Sequence, residues 1–370
     1  MSRFRYRFFL FFVLGAVAAF SKENPWIPDS VLGVPFEIRQ IDLGPDSEGP
    51  LVATLIRLAP VDAASRAVIY LHGFNDYFFQ KEMAERFVSA GYAFFAVDMH
   101  KYGRSYRPGQ RRGGLRDIRD YYPELDSAFA IIRRAGYTSV ALIGHSTGGL
   151  IAALYAEDRR FHLPMSAVIL NSPFLDMNYP KILEKTLIPG LSYLAAYCPR
   201  CEIPTFLNSP YYVESVHRSY RGEWNFRLDW KKRKSIPIDF GWLHAIHQAQ
   251  LRVQAGLHIP CPVFVMHSDT SFQSFLWNEE YRKSDAVLDV HDIERYGARL
   301  GPRVTLMTIH GGMHDLVLSR KPVRDRVYRE MLLFLDAVNE PLAVPGNRLH
   351  GRRTNTLPGK TTSRVRPVRM

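Results

Sequence analysis

The sequence predicts an α/β fold with a mostly parallel central sheet, helices on both faces and an inserted cap. Short apolar runs alternate with longer segments of helical periodicity, which is the order that gives parallel strands joined by helices. The alternation breaks at residues 177–256, a stretch rich in Tyr, Pro, Leu and Trp that contains a predicted helix at 240–253. We therefore expect one large domain at 34–340, with a cap inserted at about 177–256.

Two strands are predicted first, at 36–42 and 51–58, before the regular alternation begins. Buried strands then follow at 66–71, 94–97, 140–143, 167–170, 262–266 and 303–309. Helices are predicted at 81–90, 123–134, 149–158 and 324–338. In an open sheet of this kind, catalytic groups are expected just after the carboxyl ends of the parallel strands.

The most informative motif is Gly144-His145-Ser146-Thr147-Gly148, where an apolar run ends abruptly before a second one begins. Glycines two residues on either side of a serine let a buried strand reverse sharply into a helix. Such a turn pushes the serine hydroxyl out at the carboxyl end of the strand. The motif indicates a nucleophile elbow with Ser146 at its tip. Because short motifs also match by chance, the rest of the chain must supply the partners that this serine needs.

A serine nucleophile needs a base that removes its proton and an acid that orients the base. The strand at 303–309 is followed by His310-Gly311-Gly312-Met313-His314, and we predict His314 as the base. His310 is the competitor, but it lies closer to the strand. The two glycines after it would carry the chain round and aim the later imidazole at Ser146.

Three aspartates after the strand at 262–266 are candidates for the acid. Asp269 follows the strand at once, whereas Asp285 comes after an unusual stretch at 270–283. We favour Asp285, because Asp-x-Val followed by further apolar residues would anchor a loop that enters the cleft. Asp269 remains the alternative, and Asp289 ranks third.

With these residues assembled, the chain resembles the α/β-hydrolase superfamily, and within it the monoglyceride lipase, lysophospholipase and serine aminopeptidase-like branch. The resemblance covers roughly residues 68–335. It is carried by His72-Gly73, Gly144-His145-Ser146-Thr147-Gly148-Gly149, Leu170-Asn171-Ser172-Pro173-Phe174-Leu175-Asp176 and Gly312-Met313-His314-Asp315-Leu316. The loop at 98–105 also resembles that branch, although His100 and Lys101 stand where Arg and Gly are usual.

This resemblance implies a cofactor-independent serine hydrolase of the α/β-hydrolase fold, with no metal, that cleaves carboxylic esters through an acyl-enzyme. It also implies an oxyanion hole built from the backbone N–H groups of Phe74 and Thr147. The resemblance to monoglyceride lipases suggests a monoacyl lipid or similar apolar ester as substrate. The resemblance to serine aminopeptidases leaves peptides and amides as alternative substrates. An acyltransferase with the same triad and a non-catalytic binding protein with this fold are further alternatives.

The cap carries two features with more than one interpretation. Leu187, Ile188, Leu191, Leu194 and Tyr197 could line an acyl pocket or a mobile lid, or could pack the cap onto the body. The charge run at 230–234 is typical of a solvated loop, but it could also attract anionic lipid surfaces.

Cysteine usage leaves the cellular compartment open. Cys198 and Cys201 form a C-x-x-C motif inside the cap. In an exported protein, a disulfide between them would cross-link the cap. A zinc site would need two more ligands, which no paired motif supplies. Cys261 stands alone before a strand, and we expect it to be buried and inert.

The formal net charge of +12 does not indicate nucleic-acid binding. More than half of it lies beyond residue 340, in a stretch rich in Pro, Gly and Thr with basic residues and no acidic ones. This composition predicts a disordered tail at 341–370. No nucleic-acid-binding signature is present in the sequence, so we expect at most non-specific attraction to an anionic surface.

The N-terminal residues indicate the cellular location of the protein. Arg3, Arg5 and Arg7 precede an apolar run at 8–20, and Ala16-Val17-Ala18 offers a cleavage site. A basic flank and a short apolar run are typical of a signal peptide, so residues 1–20 are predicted to be a signal peptide or an anchor. We expect an exported or membrane-associated protein, with a cytoplasmic protein as the alternative.

Overall fold

The computed structural model describes residues 24–58, 65–203 and 209–339. The predicted leader at 1–20 and the predicted tail at 341–370 lie outside these residues. The described strands are β1 (Ile27–Pro28), β2 (Phe36–Asp46), β3 (Gly49–Leu58), β4 (Arg66–Leu71), β5 (Ala93–Asp98), β6 (Ser139–His145), β7 (Val168–Asn171), β8 (Val263–Ser268) and β9 (Val304–Ile309). The described helices are α1 (Lys81–Ser89), α2 (Tyr122–Arg134), α3 (Thr147–Asp158), α4 (Lys181–Tyr193), α5 (Tyr211–Val216), α6 (Phe240–Ala255), α7 (Val290–Gly297) and α8 (Lys321–Asn339).

The strands form one sheet in the order β1-β2-β3-β5-β4-β6-β7-β8-β9. The first three strands pair antiparallel, and β3 joins β5 in the same sense. All neighbours from β5 across to β9 pair in parallel. This arrangement confirms the predicted fold class, and it gathers the carboxyl ends of six strands at one edge of the sheet.

Helices bury both faces of this sheet. Along β4, Ala67, Ile69 and Leu71 pack into one hydrophobic cluster, whereas Val68 and Tyr70 pack into the other. Successive side chains of a strand point to opposite faces, so a strand covered on both sides has no polar alternation. Helices α2, α3 and α6 contribute to the first cluster, and α1 and α8 contribute to the second.

The chain between β7 and β8 holds α4, α5 and α6, within the stretch that the sequence predicts as a cap. Helix α6 packs against α3 and α4. A disulfide joins Cys198 to Cys201 shortly after α4, as the C-x-x-C spacing suggested. Cys261 is buried, and burial raises the pKa of its thiol to about 11, which makes it a poor nucleophile at neutral pH.

Helix α4 is not predicted by the sequence pattern, because most of its apolar side chains do not face a core. Of the cap residues considered above, Ile188 is buried and Leu191 is half-buried against the core. Leu187, Leu194 and Tyr197 are exposed, so they do not pack the cap onto the body. Among the described residues, no helix combines the length and the apolar character needed to cross a membrane.

Candidate active site

Ser146 lies at the turn between β6 and α3, in a backbone conformation that non-glycine residues rarely adopt. Its φ is 54° and its ψ is −118°. The glycines around it are required by close backbone contacts. A Cβ atom on Gly144 would overlap the carbonyl group of Gly148, and one on Gly148 would overlap the carbonyl oxygens at the end of β4. The strand therefore reverses into the helix as sharply as the motif predicts.

His314 and Asp285 form a buried pair. The Nδ1 atom of His314 lies 2.9 Å from Oδ2 of Asp285, and both side chains are almost fully inaccessible to solvent. The other carboxylate oxygen of Asp285 accepts hydrogen bonds from the backbone N–H groups of Val287, at 2.9 Å, and Leu288, at 2.8 Å. These bonds fix the carboxylate, so it can hold one orientation of the imidazole ring.

Asp269 does not reach His314. It accepts a hydrogen bond from the backbone N–H of Gly311 at 3.0 Å, and its other oxygen lies 3.1 Å from Nδ1 of His310. Burial opposes ionisation of Asp269, but the bonds from His310 and Gly311 outweigh it and hold the pKa of the carboxyl below its usual value. Asp289 caps α7 by accepting from the N–H of His291. The structure thus brings His314 to Asp285, and it pairs the competing Asp269 with the competing His310.

The loop after β4 lies directly against the elbow. A Cβ atom on Gly73 would come within 3.0 Å of the Cβ atom of Ser146. The next residue, Phe74, and the first residue of α3, Thr147, carry the two predicted oxyanion donors. Neither backbone N–H donates a hydrogen bond to another residue in the described part of the chain. For Thr147 this follows from its position, since the first amides of a helix have no partner within the helix.

The body of the protein holds this loop through His72 and Asp98. His72 Nε2 accepts the N–H of Met99 at 3.1 Å, so the proton is on Nδ1, which donates to the carbonyl oxygen of Gly73 at 2.7 Å. Asp98 accepts the N–H of Phe78 at 2.7 Å. Both contacts tie the loop to the end of the neighbouring strand β5.

The loop that follows β5 is the one in which the sequence departs from the resembling branch. Lys101 has a φ of 64°, a conformation that glycine adopts without strain, and its ammonium pairs with Asp46 and Glu48 at 2.7 and 2.8 Å. His100 lies 3.1 Å from Glu124. The unusual residues therefore anchor the loop to the antiparallel edge of the sheet and to α2.

A buried polar network that the sequence did not predict lies behind His314. The carboxylate of Asp315 accepts from Asn171 Nδ2 at 2.6 Å and from Gln80 Nε2 at 3.2 Å. His145 lies beside this network, with its ring centroid 4.9 Å from that of His314. Burial lowers the pKa of His145, although the charge of Asp315 opposes the shift. The one sign of this network in the sequence was that Asp315 directly follows the predicted base.

The segments between β7 and β8 contribute side chains to the site. Tyr212 of α5 packs edge-on against His314, with ring centroids 5.6 Å apart. The ring centroid of Trp242, in α6, lies 4.8 Å from that of Phe74. Lys231, in the charge run expected to be solvated, is instead buried. A local charge pattern cannot show this, because the partner of Lys231 is Asp76, far away in the sequence.

Comparisons with known proteins find one family model and two curated relatives that match this chain. The model of the family described as "Serine aminopeptidase, S33" matches residues 62–320. The chain is 23% identical to a probable lysophospholipase L2 of Haemophilus influenzae over 296 residues, which covers 75% of this chain and 86% of that protein. It is 30% identical to phospholipase YtpA of Bacillus subtilis over 117 residues, covering 31% of this chain and 43% of that protein.

Solved structures show the same fold. A soluble variant of monoglyceride lipase from Saccharomyces cerevisiae, in complex with a substrate analog, superposes with a TM-score of 0.57 at 20% identity, covering 81% of this chain and 96% of that chain. The monoacylglycerol lipase of Paleococcus ferrophilus superposes with a TM-score of 0.55 at 18% identity, covering 82% and 99%. At these identities the likeness concerns the fold.

Proposed function

Because this chain belongs to the serine aminopeptidase S33 family, we propose that it is a serine hydrolase that cleaves carboxylic esters through an acyl-enzyme on Ser146. The observation that carries the proposal is the buried pair of His314 and Asp285 beside a strained serine elbow. A buried histidine oriented by a carboxylate is the arrangement that activates a serine hydroxyl.

The proposed reaction has two halves. In the first, Ser146 Oγ attacks the ester carbonyl carbon while Nε2 of His314 takes the hydroxyl proton, since Nδ1 is engaged by Asp285. The backbone N–H groups of Phe74 and Thr147 stabilise the negative oxygen of the tetrahedral intermediate. When this intermediate collapses, the imidazolium gives its proton to the leaving alcohol. Water then attacks the acyl-enzyme with His314 again as the base, which releases the acid and restores the serine.

An apolar monoacyl ester is the substrate class that we propose. The curated relative named above is a probable lysophospholipase, and one of the similar folds is that of a monoglyceride lipase. The ring of Tyr212 packs against the predicted base His314, and that of Trp242 packs against the side chain of Phe74. Apolar rings at these positions suit an acyl chain better than a charged peptide.

The family name also suggests aminopeptidase activity, which would need an acidic group for the free amino terminus of a peptide. Asp76, Asp285 and Asp315 are buried carboxylates beside His145 or His314, and each already has a partner. Asp285 pairs with His314, Asp76 pairs with Lys231, and Asp315 accepts from two amide side chains. We therefore place esters ahead of peptides.

Association with a lipid surface is part of the same proposal. Helix α4 and the turn that follows it expose several large apolar side chains, namely Ile182, Leu183, Leu187, Tyr193, Leu194 and Tyr197. Exposed apolar patches of this kind on a lipid-cleaving enzyme are suited to insertion between lipid head groups. The disulfide between Cys198 and Cys201 supports the expectation of an exported or membrane-associated protein, because disulfides persist in oxidising compartments.

Hydrolysis of a substrate panel tests the proposal. Purified wild-type protein and the Ser146→Ala variant are assayed on monoacylglycerols, lysophospholipids, diacyl lipids, short acyl esters and amino-acid amides. We expect release of fatty acid from the monoacyl esters, and none with the variant. Efficient cleavage of the amides with little ester hydrolysis would replace the ester proposal by the aminopeptidase one.

A further inference from the structure

Lys231 is a buried lysine in a segment of otherwise accessible charges. Its side chain is 4% exposed, and its ammonium lies 2.7 Å from Oδ2 of Asp76, whose side chain is 1% exposed. By contrast, Lys234 in the same charge run is exposed. A charge removed from water is strongly unfavourable without its partner, so the two side chains depend on each other.

Aromatic rings enclose the ammonium of Lys231. It lies 5.7 Å from the ring centroids of Phe79 and Tyr212 and 5.9 Å from that of Phe226. Tyr212 is also the residue that packs against His314. The lysine therefore lies between the loop after β4 and Tyr212, which packs against the predicted catalytic histidine.

Three further hydrogen bonds join the same two segments. The side-chain amide of Asn75 donates to the backbone carbonyl of Lys232 at 2.9 Å and accepts the backbone N–H of Lys232 at 3.1 Å. The hydroxyl of Tyr77 accepts the backbone N–H of Arg227 at 2.7 Å. Three consecutive residues of the loop, 75–77, are thus held by the segment 227–232, which we call the strap.

The clamped residues follow directly after the predicted oxyanion donor. Gly73 lies against Ser146, and Phe74 carries the N–H group assigned to the oxyanion hole. Asn75 has a φ of 53°, so the chain turns sharply just after this amide. The body fixes the start of the loop through His72, and the strap fixes the residues beyond Phe74.

Given the proposed function, on which this inference rests, we propose that Lys231 is a positioning residue for ester hydrolysis. Its ion pair with Asp76, together with the amide clamp of Asn75, holds the Phe74 N–H in the direction that the oxyanion requires. Such a donor acts only when charge develops on the substrate oxygen, so a displaced donor lowers kcat more than it weakens substrate binding. In this role Lys231 acts through its ion pair with Asp76 and not on the substrate itself.

Kinetic constants of strap and loop variants test this inference. Lys231→Met and Asp76→Asn break the ion pair, and Lys234→Met is the matched control in the same charge run. We expect Lys231→Met to lower kcat by about 10- to 100-fold with KM changed less than about threefold, since loss of an oxyanion donor costs about 100- to 1,000-fold. Lys231→Arg should recover part of kcat. The double variant should be no slower than the slower single variant, because the two residues act as a unit.

A variant that leaves no unpaired buried charge separates positioning from misfolding. Asn75→Gly removes the amide clamp and keeps a residue suited to positive φ. We expect it also to lower kcat at nearly constant KM, while its thermal unfolding midpoint stays close to that of the wild type.

The inference is overturned if folded Lys231→Met and Asn75→Gly both keep wild-type kcat, or if their losses lie in KM alone. In those cases an active wild type would leave the proposed function intact. A wild type without esterase activity would overturn both.

Discussion

Asp285 Oδ2 lies 2.9 Å from Nδ1 of His314, and both side chains are buried at the carboxyl edge of the sheet. The pairing depends on a detour in the chain. After Asp269 the chain leaves the sheet, and it returns so that Ser271 and Asp285 form a β-bridge. The detour brings the later aspartate beside the histidine and leaves the earlier one beside His310.

Replacing the two aspartates should separate their roles. We expect Asp285→Asn to lower kcat/KM by about 1,000- to 10,000-fold, because an amide cannot hold the imidazole in the tautomer that accepts a proton from serine. Asp269→Asn is the matched control and should stay within about threefold of the wild type. Steady-state hydrolysis of a short acyl ester measures both variants. The reverse ranking would assign the acid to Asp269.

The glycines of the elbow should be sensitive to a single added methyl group. We expect Gly148→Ala to lower the free energy of unfolding by about 2 kcal/mol or more, because its Cβ would overlap the carbonyl oxygens of Leu71 and His72. Gly190→Ala is the control, since no atom lies within 4 Å of the added group. In the helix α4 that change should be neutral or stabilise by up to about 1 kcal/mol. Urea denaturation compares the two, and equal effects would contradict the account of the elbow.

The buried His145 should make stability depend on pH in a defined direction. Burial lowers the pKa of its imidazole below the usual value of 6.5. As the pH falls below about 6.5, the unfolded chain therefore takes up a proton that the folded chain does not. The free energy of unfolding should decrease on acidification, by at most about 1.4 kcal/mol per pH unit from this group.

The variant His145→Gln should weaken that dependence when urea denaturation is compared at pH 7.5 and 5.5. His162→Gln is the control, because His162 is exposed. If His145→Gln and the wild type lose the same stability between the two pH values, His145 does not remain neutral in the folded protein.

The apolar surface of α4 should matter only for aggregated substrates. Ile182 is 71% exposed and Tyr193 is 66% exposed. We expect the double change of Ile182→Ser and Tyr193→Ser to reduce vesicle binding and hydrolysis of micellar lipid several-fold, with little effect on monomeric short esters. Phe161→Ser is the control, since Phe161 is 82% exposed but lies after α3. Equal losses on both substrate forms would argue against a surface role.

The sheet and the elbow were predictable from local sequence. Buried parallel strands appear as continuous apolar runs, and the sharp turn at Ser146 needs glycines that stand at fixed positions in the motif. Helix α4 was not predictable in this way, because side chains such as Ile182 face solvent and give no stripe that points to a core.

Contacts between segments that are far apart in the sequence were the part of the site that was harder to predict. Asp269 and Asp285 both follow β8, and only the tertiary path of the detour distinguishes them. Lys231 stands in a run of basic residues, which is typical of a solvated loop, yet its partner Asp76 comes from the loop after β4. A single sequence does not reveal which distant carboxylate neutralises a given lysine.

The assignment of Ser146 as the nucleophile is tested by labelling the purified protein with a fluorophosphonate probe and identifying the modified residue by mass spectrometry of its peptides. We expect a single adduct on Ser146, which is absent after Ser146→Ala and forms much more slowly after His314→Ala. A folded, unmodified wild-type protein, or an adduct on another serine, would contradict the assignment of Ser146 as the nucleophile.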